Sequence, residues 1–519
     1  MTEEFDVIVV GYGPTGLVLA AALGARGHKV AVVERWPELY KHPRLAHIDD
    51  ETARIIQAVA DVDHALRDSA PVQHYSFVNA AGELLTRVGN GTVTGVSGYP
   101  ADISIFQPDI EEAIHDRVVA TASVTTLTGW EAVSLDQDAS GVTLGIRPAS
   151  QPATEIRQLR AAYLVGSDGV KSFVREALGI TRTDLGFAER WLNIDLLILR
   201  PLPERFDSTI QYCDPARGHM HLPVGTRRLR VELALLQGED PASFTKPEFA
   251  WNWLRERHGL GPDDVAITRQ VVYGFEARSA DTWRIGRVLL AGDACHTMPP
   301  YLGQGACSGM RDGIALDWRL DLVLRGLARP DLLDSYEVER KPHVTIITRM
   351  AIGLGQIANE HDPERARLRD EAMRAHPPAK PDLPFITSGL LDPEPSPLRG
   401  KISHQGTVSL NERRGRFDDV VGRGFVLLCR TGETLKLLDE QTKSVFTAIG
   451  GLVQSLDALI DVDGTYAAFF AEHGIECMLY RPDFVVFGTR PDGEGVRSLV
   501  GNLLSAICAS GDATTKVDP

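Results

Sequence analysis

A chain of 519 residues and 56.7 kDa is long enough for roughly three domains and a sizeable core, which excludes a lone small binding module. Its 54 Lys+Arg against 70 Asp+Glu leave a formal charge of -16 with no basic run to offset it, so nucleic acid and anionic membranes are not expected partners. The six cysteines, at 213, 295, 307, 429, 477 and 508, show neither C-x-x-C nor tight Cys/His spacing, which leaves no disulfide framework and no zinc site and points to a reducing compartment.

Met1 to Phe5 is acidic, and the apolar run Val7 to Val10 is too short for a signal segment or a membrane span, so the expected location is the cytosol. A strand from Phe5 to Val10, a glycine turn, an Ala/Leu-rich helix to about Gly27 and a strand from Lys29 to Val33 form a βαβ unit. Between about 181 and 275 apolar and polar residues alternate, as in Trp191 to Leu199 and Arg228 to Leu236, the pattern of a half-exposed antiparallel sheet. From Ala306 the spacing turns helical, through Met310, Ile314, Leu316, Leu320, Leu324 and Leu327, and continues to about Ala358. Prolines 377, 378, 381, 384, 393, 395 and 397 make 376–400 an extended connector. Beyond it, the runs Gly424 to Cys429, Cys477 to Tyr480 and Asp483 to Gly488 and an amphipathic helix near 494–508 suggest a small α/β domain.

Gly11-x-Gly13-x-x-Gly16, with Pro14 and Thr15 inside the turn, sits between strand and helix, and Glu34 closes the second strand beside Arg35. The three glycines serve a tight turn, close backbone approach to a pyrophosphate and helix–strand packing, and the acid suits ribose hydroxyls. This is a dinucleotide fingerprint; it does not distinguish NAD from FAD. Further along, a strand from Val288 ends in Gly292-Asp293 and runs through Pro300 into Gly303-Gln-Gly305-Ala306-Cys307 and a long helix. Asp293 is placed to accept hydrogen bonds from a polyol, and the helix N-terminus to face negative charge.

With Leu164-Val-Gly-Ser-Asp168-Gly169, these three motifs in this order resemble the FAD-dependent aromatic hydroxylases, over roughly the first 350 residues. Pro43-Arg44 through His47 to Thr52, Ile105-Phe-Gln107-Pro-Asp109 and Tyr212-Cys-Asp214 are similar to the branch containing 3-(3-hydroxyphenyl)propionate hydroxylase and 2-hydroxybiphenyl monooxygenase. The resemblance implies a Rossmann-like FAD-binding domain (1–75, 106–180, 276–375), a substrate-binding β-sheet domain (76–105, 181–275) and, after the connector, a thioredoxin-like C-terminal domain (401–519). It implies that Arg44 and Gln107 contact FAD, and that Cys307 replaces a usual asparagine at the flavin edge. The C-terminal domain, marked by Tyr480-Arg481-Pro482-Asp483, lacks a redox pair, and Cys429 has no C-x-x-C partner. A homodimer is an open expectation.

The implied reaction takes hydride from NAD(P)H and oxygen from O2, and hydroxylates a phenol through a flavin C4a-hydroperoxide, ortho to an existing hydroxyl. A base that helps ionise the phenol is expected. The candidates are His47 and, on the substrate sheet, Tyr212; His219 and His221 share a strand face that would line the cavity or the surface. Alternatives are a tailoring hydroxylase of a bulky aromatic such as a polyketide, a flavin dehydrogenase or oxidase, and a flavin-binding protein without turnover. A halogenase is disfavoured, because Trp251-Asn-Trp253-Leu-Arg departs from W-x-W-x-I-P.

Overall fold

A computed structural model describes residues 3–89, 91, 93–151, 155–378 and 382–507; Pro381 and Cys508, named above, fall outside them. The opening βαβ unit forms from apolar runs that a parallel sheet can bury on both faces. Strand Glu3–Val10 pairs in parallel with Val30–Glu34 on one side and Arg157–Gly166 on the other. Val124–Thr128 and Val288–Leu290 extend the sheet in parallel, and Trp130–Gln137 and Val142–Pro148 add an antiparallel flap. Helices Pro14–Ala25 and Gly305–Leu324 pack together so closely that a Cβ on Gly309 would lie 2.3 Å from Thr15 Oγ1.

A second sheet of eight strands runs in the order His296–Thr297, Val265–Ala280, Arg182–Ile198, Arg228–Leu235, His219–Val224, Thr209–Cys213, Tyr75–Asn79, Leu84–Val88. The alternation read in the sequence divides its faces. Leu192, Ile194, Val231 and Leu233 pack under the helix Pro247–Trp253 and its neighbours, while Asn193, Asp195, Arg230 and Glu232 take the opposite face. Strand Asp102–Ile105, expected in this sheet, pairs instead with His47–Asp49 and Ser69–Pro71 in a separate antiparallel sheet. Ile103 and Ile105 join Ile48 in the core of the dinucleotide domain, and that burial decides the pairing.

The C-terminal domain is thioredoxin-like. Strand Phe425–Cys429 lies between Gly451–Ser455, parallel to it, and Cys477–Tyr480, antiparallel, and Val486–Arg490 closes the sheet. Register sets Cys429 opposite Cys477, a neighbour that sequence spacing does not reveal; both are buried, and Cys477 together with burial drives the Cys429 thiol far above its ordinary pKa. The proline-rich connector carries no helix or strand among its described residues. It is nevertheless strapped down: His343 Nε2 lies 2.9 Å from the Pro384 carbonyl, and the Leu390 amide donates to Glu339.

Candidate active site

The glycine turn follows strand Glu3–Val10, and each glycine there has its own reason. Gly11 has φ +103° and a Cβ on it would strike the Ser167 carbonyl at 2.3 Å; a Cβ on Gly16 would strike the Gly11 carbonyl at 2.1 Å. A Cβ on Gly13 would meet nothing within 4 Å. Gly13 therefore borders open space at the N-terminus of helix Pro14–Ala25, which has no side-chain cap for its free N–H groups. Glu34 accepts from the Tyr12 and Trp36 amides, one at each carboxylate oxygen, so its position is fixed while lone pairs remain for hydroxyl donors. Arg35 is exposed, with its guanidinium over Trp36.

Two further acids face the same crevice without full satisfaction. Asp168 accepts from the Val174 amide through Oδ2, but its buried Oδ1 has no partner among the described residues, and burial raises its pKa. No described residue donates to Asp293, which is exposed. The protein surrounding it raises its pKa, against the opposing pull of His296 and Arg44. An open cradle at Gly13, an orphaned oxygen at Asp168 and an unclaimed carboxylate at Asp293 fit a dinucleotide with a polyol chain such as FAD.

The Gly292-Asp293 turn is pinned by a residue that sequence reading missed. Buried Asp312, on helix Gly305–Leu324, accepts from the Gly292 amide at 3.0 Å, His296 at 2.7 Å and Arg340 at 2.9 Å. An acid inside an apolar helical run was the available signal. Burial raises the Asp312 carboxyl, and His296 and Arg340 outweigh it, so it stays below the ordinary carboxylate range. Gly292, at φ +60°, cannot carry a side chain, because a Cβ would lie 2.5 Å from Thr15 Oγ1.

Arg44 is exposed, stacked on Tyr40, and close enough to Asp293 to pull its pKa down. Its backbone is held from both sides: the Pro43 carbonyl accepts from Arg230 and Arg269 of the substrate sheet, both paired with Asp195. Gln107 Oε1 accepts from the Arg44 and Leu45 amides while Nε2 donates to Glu111. Gln107 is 4% exposed and positions the Arg44 segment, with one Nε2–H not used in these bonds.

Between the two large sheets and the C-terminal domain lies a cavity of about 1200 Å³. At its boundary with the glycine loop stands His47, whose Nε2 is 3.0 Å from Asp102 Oδ1 on the neighbouring strand. A Cβ on Gly303, which has φ +63°, would sit 2.8 Å from His47 Nδ1, so only glycine fits against that nitrogen. Pro300, Tyr301 and Gly303 line the cavity here, and Gly305, Ala306 and Cys307 begin the uncapped helix Gly305–Leu324. Cys307 packs as a small buried residue, its thiol pushed up to about 12 by burial and contacting the Gly303 and His47 carbonyls.

Tyr212, the second candidate base, does not line the cavity. Thr209, three residues earlier and so on the other strand face, lines it, and Tyr212 points to the opposite face, stacked on His219 with 4.4 Å between centroids. His219 and His221 lie on that same outer face with His258, while Met220 and Leu222 face the cavity. Burial lowers the pKa of these histidines, to about 4 for His221. Among the described residues no group of His, Cys, Asp or Glu is arranged to hold a metal ion.

A dinucleotide crevice opening through a glycine loop onto a half-open cavity with a histidine at the junction is the arrangement expected of a flavin-dependent monooxygenase. The comparisons agree. Residues 4–351 match the family described as FAD binding domain and residues 400–505 the HcaD C-terminal domain, and the chain belongs to the FAD-binding family of aromatic hydroxylases. It is 34% identical over 519 residues to the protein named Probable NADH-specific resorcinol 4-hydroxylase of Rhodococcus jostii (strain RHA1), covering 97% of this chain and 96% of that one. It is 32% identical to 3-(3-hydroxy-phenyl)propionate/3-hydroxycinnamic acid hydroxylase of Comamonas testosteroni, over 88% of this chain and 75% of that protein. The fold matches the flavin-dependent monooxygenase PieE, solved with FAD and substrate, at a TM-score of 0.80 and 23% identity over 97% and 99% of the two chains. The protein is an FAD-dependent aromatic monooxygenase of the branch that holds these hydroxylases. FAD would be held by the Gly11–Gly16 turn and Glu34 at its adenosine end, and by Asp293 and the Gly303–Gly305 loop toward its ring. No helix among the described residues is long and apolar enough to cross a membrane.

Proposed function

We propose that this enzyme uses NADH and O2 to hydroxylate a small phenol at a carbon ortho to an existing hydroxyl, with His47 as the base and Asp102 as its orienting partner, in the cytosol. The observation that carries the reading is the position of His47, between Asp102 and the Gly303 loop at the junction of crevice and cavity. Bound FAD supplies the redox chemistry, namely acceptance of hydride and activation of dioxygen. The chain's own task is to hold and ionise the phenol. Asp102 accepts a hydrogen bond from Nε2–H and so fixes the tautomer in which Nδ1 is the acceptor. A phenolic proton passing to Nδ1 leaves electron density at the ortho and para carbons and places the positive charge beside Asp102. NADH as the reductant is supported by the name of the Rhodococcus relative.

The volume of the cavity favours a second reading, a tailoring hydroxylase of a fused-ring substrate. Steady-state assays decide. NADH oxidation by the flavin-loaded protein should accelerate on adding a monocyclic phenol, with oxygen uptake matched by a product 16 mass units heavier. Uptake that yields only hydrogen peroxide from every phenol and polyphenol tried would make the protein an oxidase and refute the hydroxylase reading.

A further inference from the structure

Resting on that hydroxylase reading, we infer that the aromatic chamber selects phenols without a charged side chain, such as a dihydroxybenzene or alkylphenol, and excludes those bearing a carboxylate. Much of the cavity lining is apolar or neutral, including Tyr75, Phe77, Thr209, Met220, Leu222 and Tyr301. A carboxylate taken from water into such a chamber needs a cation or several donors to replace its hydration.

The arginines that line the cavity, Arg311, Arg340 and Arg481, are each committed to acids of their own. Arg311 bonds Asp49, Glu51 and Gln304, Arg340 bonds Asp312, and Arg481 bonds Glu339 and Asp483. Lys401 also lines the cavity but is exposed, with its ammonium over the connector residue Phe385. Arg87, on the edge strand, bonds Ser76, which alternates to the opposite face from Tyr75 and Phe77.

The charges behind the walls are acidic. Asp102 backs His47. Glu189 accepts from the Tyr301 hydroxyl at 2.7 Å. Glu232 lies opposite Met220 in the sheet register and acts electrostatically on both Tyr75 and Tyr301. Arg230 offsets this acid only in part, since it gives its hydrogen bonds to Asp195 and the Pro43 and Arg44 carbonyls. A neutral phenol adds no net charge to this setting, because the proton it loses stays on His47. A carboxylated one adds a full negative charge.

The test compares matched substrates on the holoenzyme: resorcinol, 3-propylphenol and 3-(3-hydroxyphenyl)propionate, each scored by kcat/KM for product formation. The neutral compounds should exceed the carboxylate by about a hundredfold. Met220→Lys, a near-isosteric change that places an ammonium on the wall, should shrink that ratio at least tenfold while flavin content is retained. Equal kcat/KM for propylphenol and the propionate would overturn the selectivity while leaving the hydroxylase reading intact. Hydroxylation of none of the three would remove that reading and this inference with it.

Discussion

Arg481 of the C-terminal domain meets Glu339 of helix Asp334–Ala358 through two hydrogen bonds of 2.9 and 2.7 Å, with both side chains 1% exposed. Asp483 closes on Arg481 from the same turn and accepts from the Trp318 indole, and Arg319 also bonds Glu339. The Tyr480–Asp483 motif is therefore the bolt between the thioredoxin-like domain and the body that carries the flavin crevice. Neutralising Glu339 strands two buried guanidinium groups, so Glu339→Gln should cost about 3–5 kcal/mol in urea unfolding. A loss under about 1 kcal/mol would mean that solvent reaches the knot and that the domains are held elsewhere.

The three glycines of the nucleotide turn should respond differently to the same methyl group. Gly13 has φ -78° and open space at its Cβ position, so Gly13→Ala should leave the apoprotein within about 1 kcal/mol of the parent yet weaken FAD binding tenfold or more, because the methyl occupies the pyrophosphate's approach. Gly16→Ala forces a methyl to 2.1 Å from a backbone oxygen and should destabilise the apoprotein itself, by about 1–3 kcal/mol. Flavin titration and unfolding of both apoproteins check this; equal stability losses would deny Gly13 its role at the cofactor.

Much of this architecture was legible in the sequence, and the parts that were not share a physical cause. Apolar runs flanking Gly11–Gly16 and the alternation from Trp191 to Leu199 report burial along one strand, which a single sequence carries. Pairing between distant strands is not so recorded. Asp102 sits 55 residues from His47 and becomes its partner only because Asp102–Ile105 joins the small sheet. Tyr212 was a reasonable candidate by composition, but whether an odd or an even residue of its strand faces the cavity depends on a register the chain does not display. The hydrogen bonds of Gln107 to the 44–45 amides and Glu111 likewise depend on a long-range approach that sequence spacing does not record.

If His47 ionises the phenol, the need for it should vanish when the substrate ionises unaided. His47→Asn should lower kcat by about 10²–10⁴-fold at neutral pH with flavin content unchanged. The deficit should shrink as pH approaches the ordinary phenol value of about 10. Asp102→Asn, which perturbs the tautomer and orientation of the imidazole, should give a smaller loss with the same pH recovery. A deficit that stays constant across the pH range would assign His47 a structural role.

Glu111 offers a pH test of the segment that carries Arg44. Burial pushes its carboxyl up to about 7, against the hydrogen bond from Gln107 that lowers it. The folded protein therefore keeps this proton at pH values where the unfolded chain has released it. The raised pKa contributes no penalty below the ordinary value near 4.5, and stability falls as pH rises through about 7, by roughly 3 kcal/mol in all. Glu111→Gln removes the titration and retains an oxygen for Gln107, so the variant should match the parent at pH 4 and exceed it at pH 8. Urea unfolding at the two pH values measures the difference, and an equal offset at both would show that Glu111 is already ionised in the fold. Because Gln107 ties Glu111 to the Arg44 and Leu45 amides, FAD affinity of the parent should weaken over the same interval, and the variant's should not.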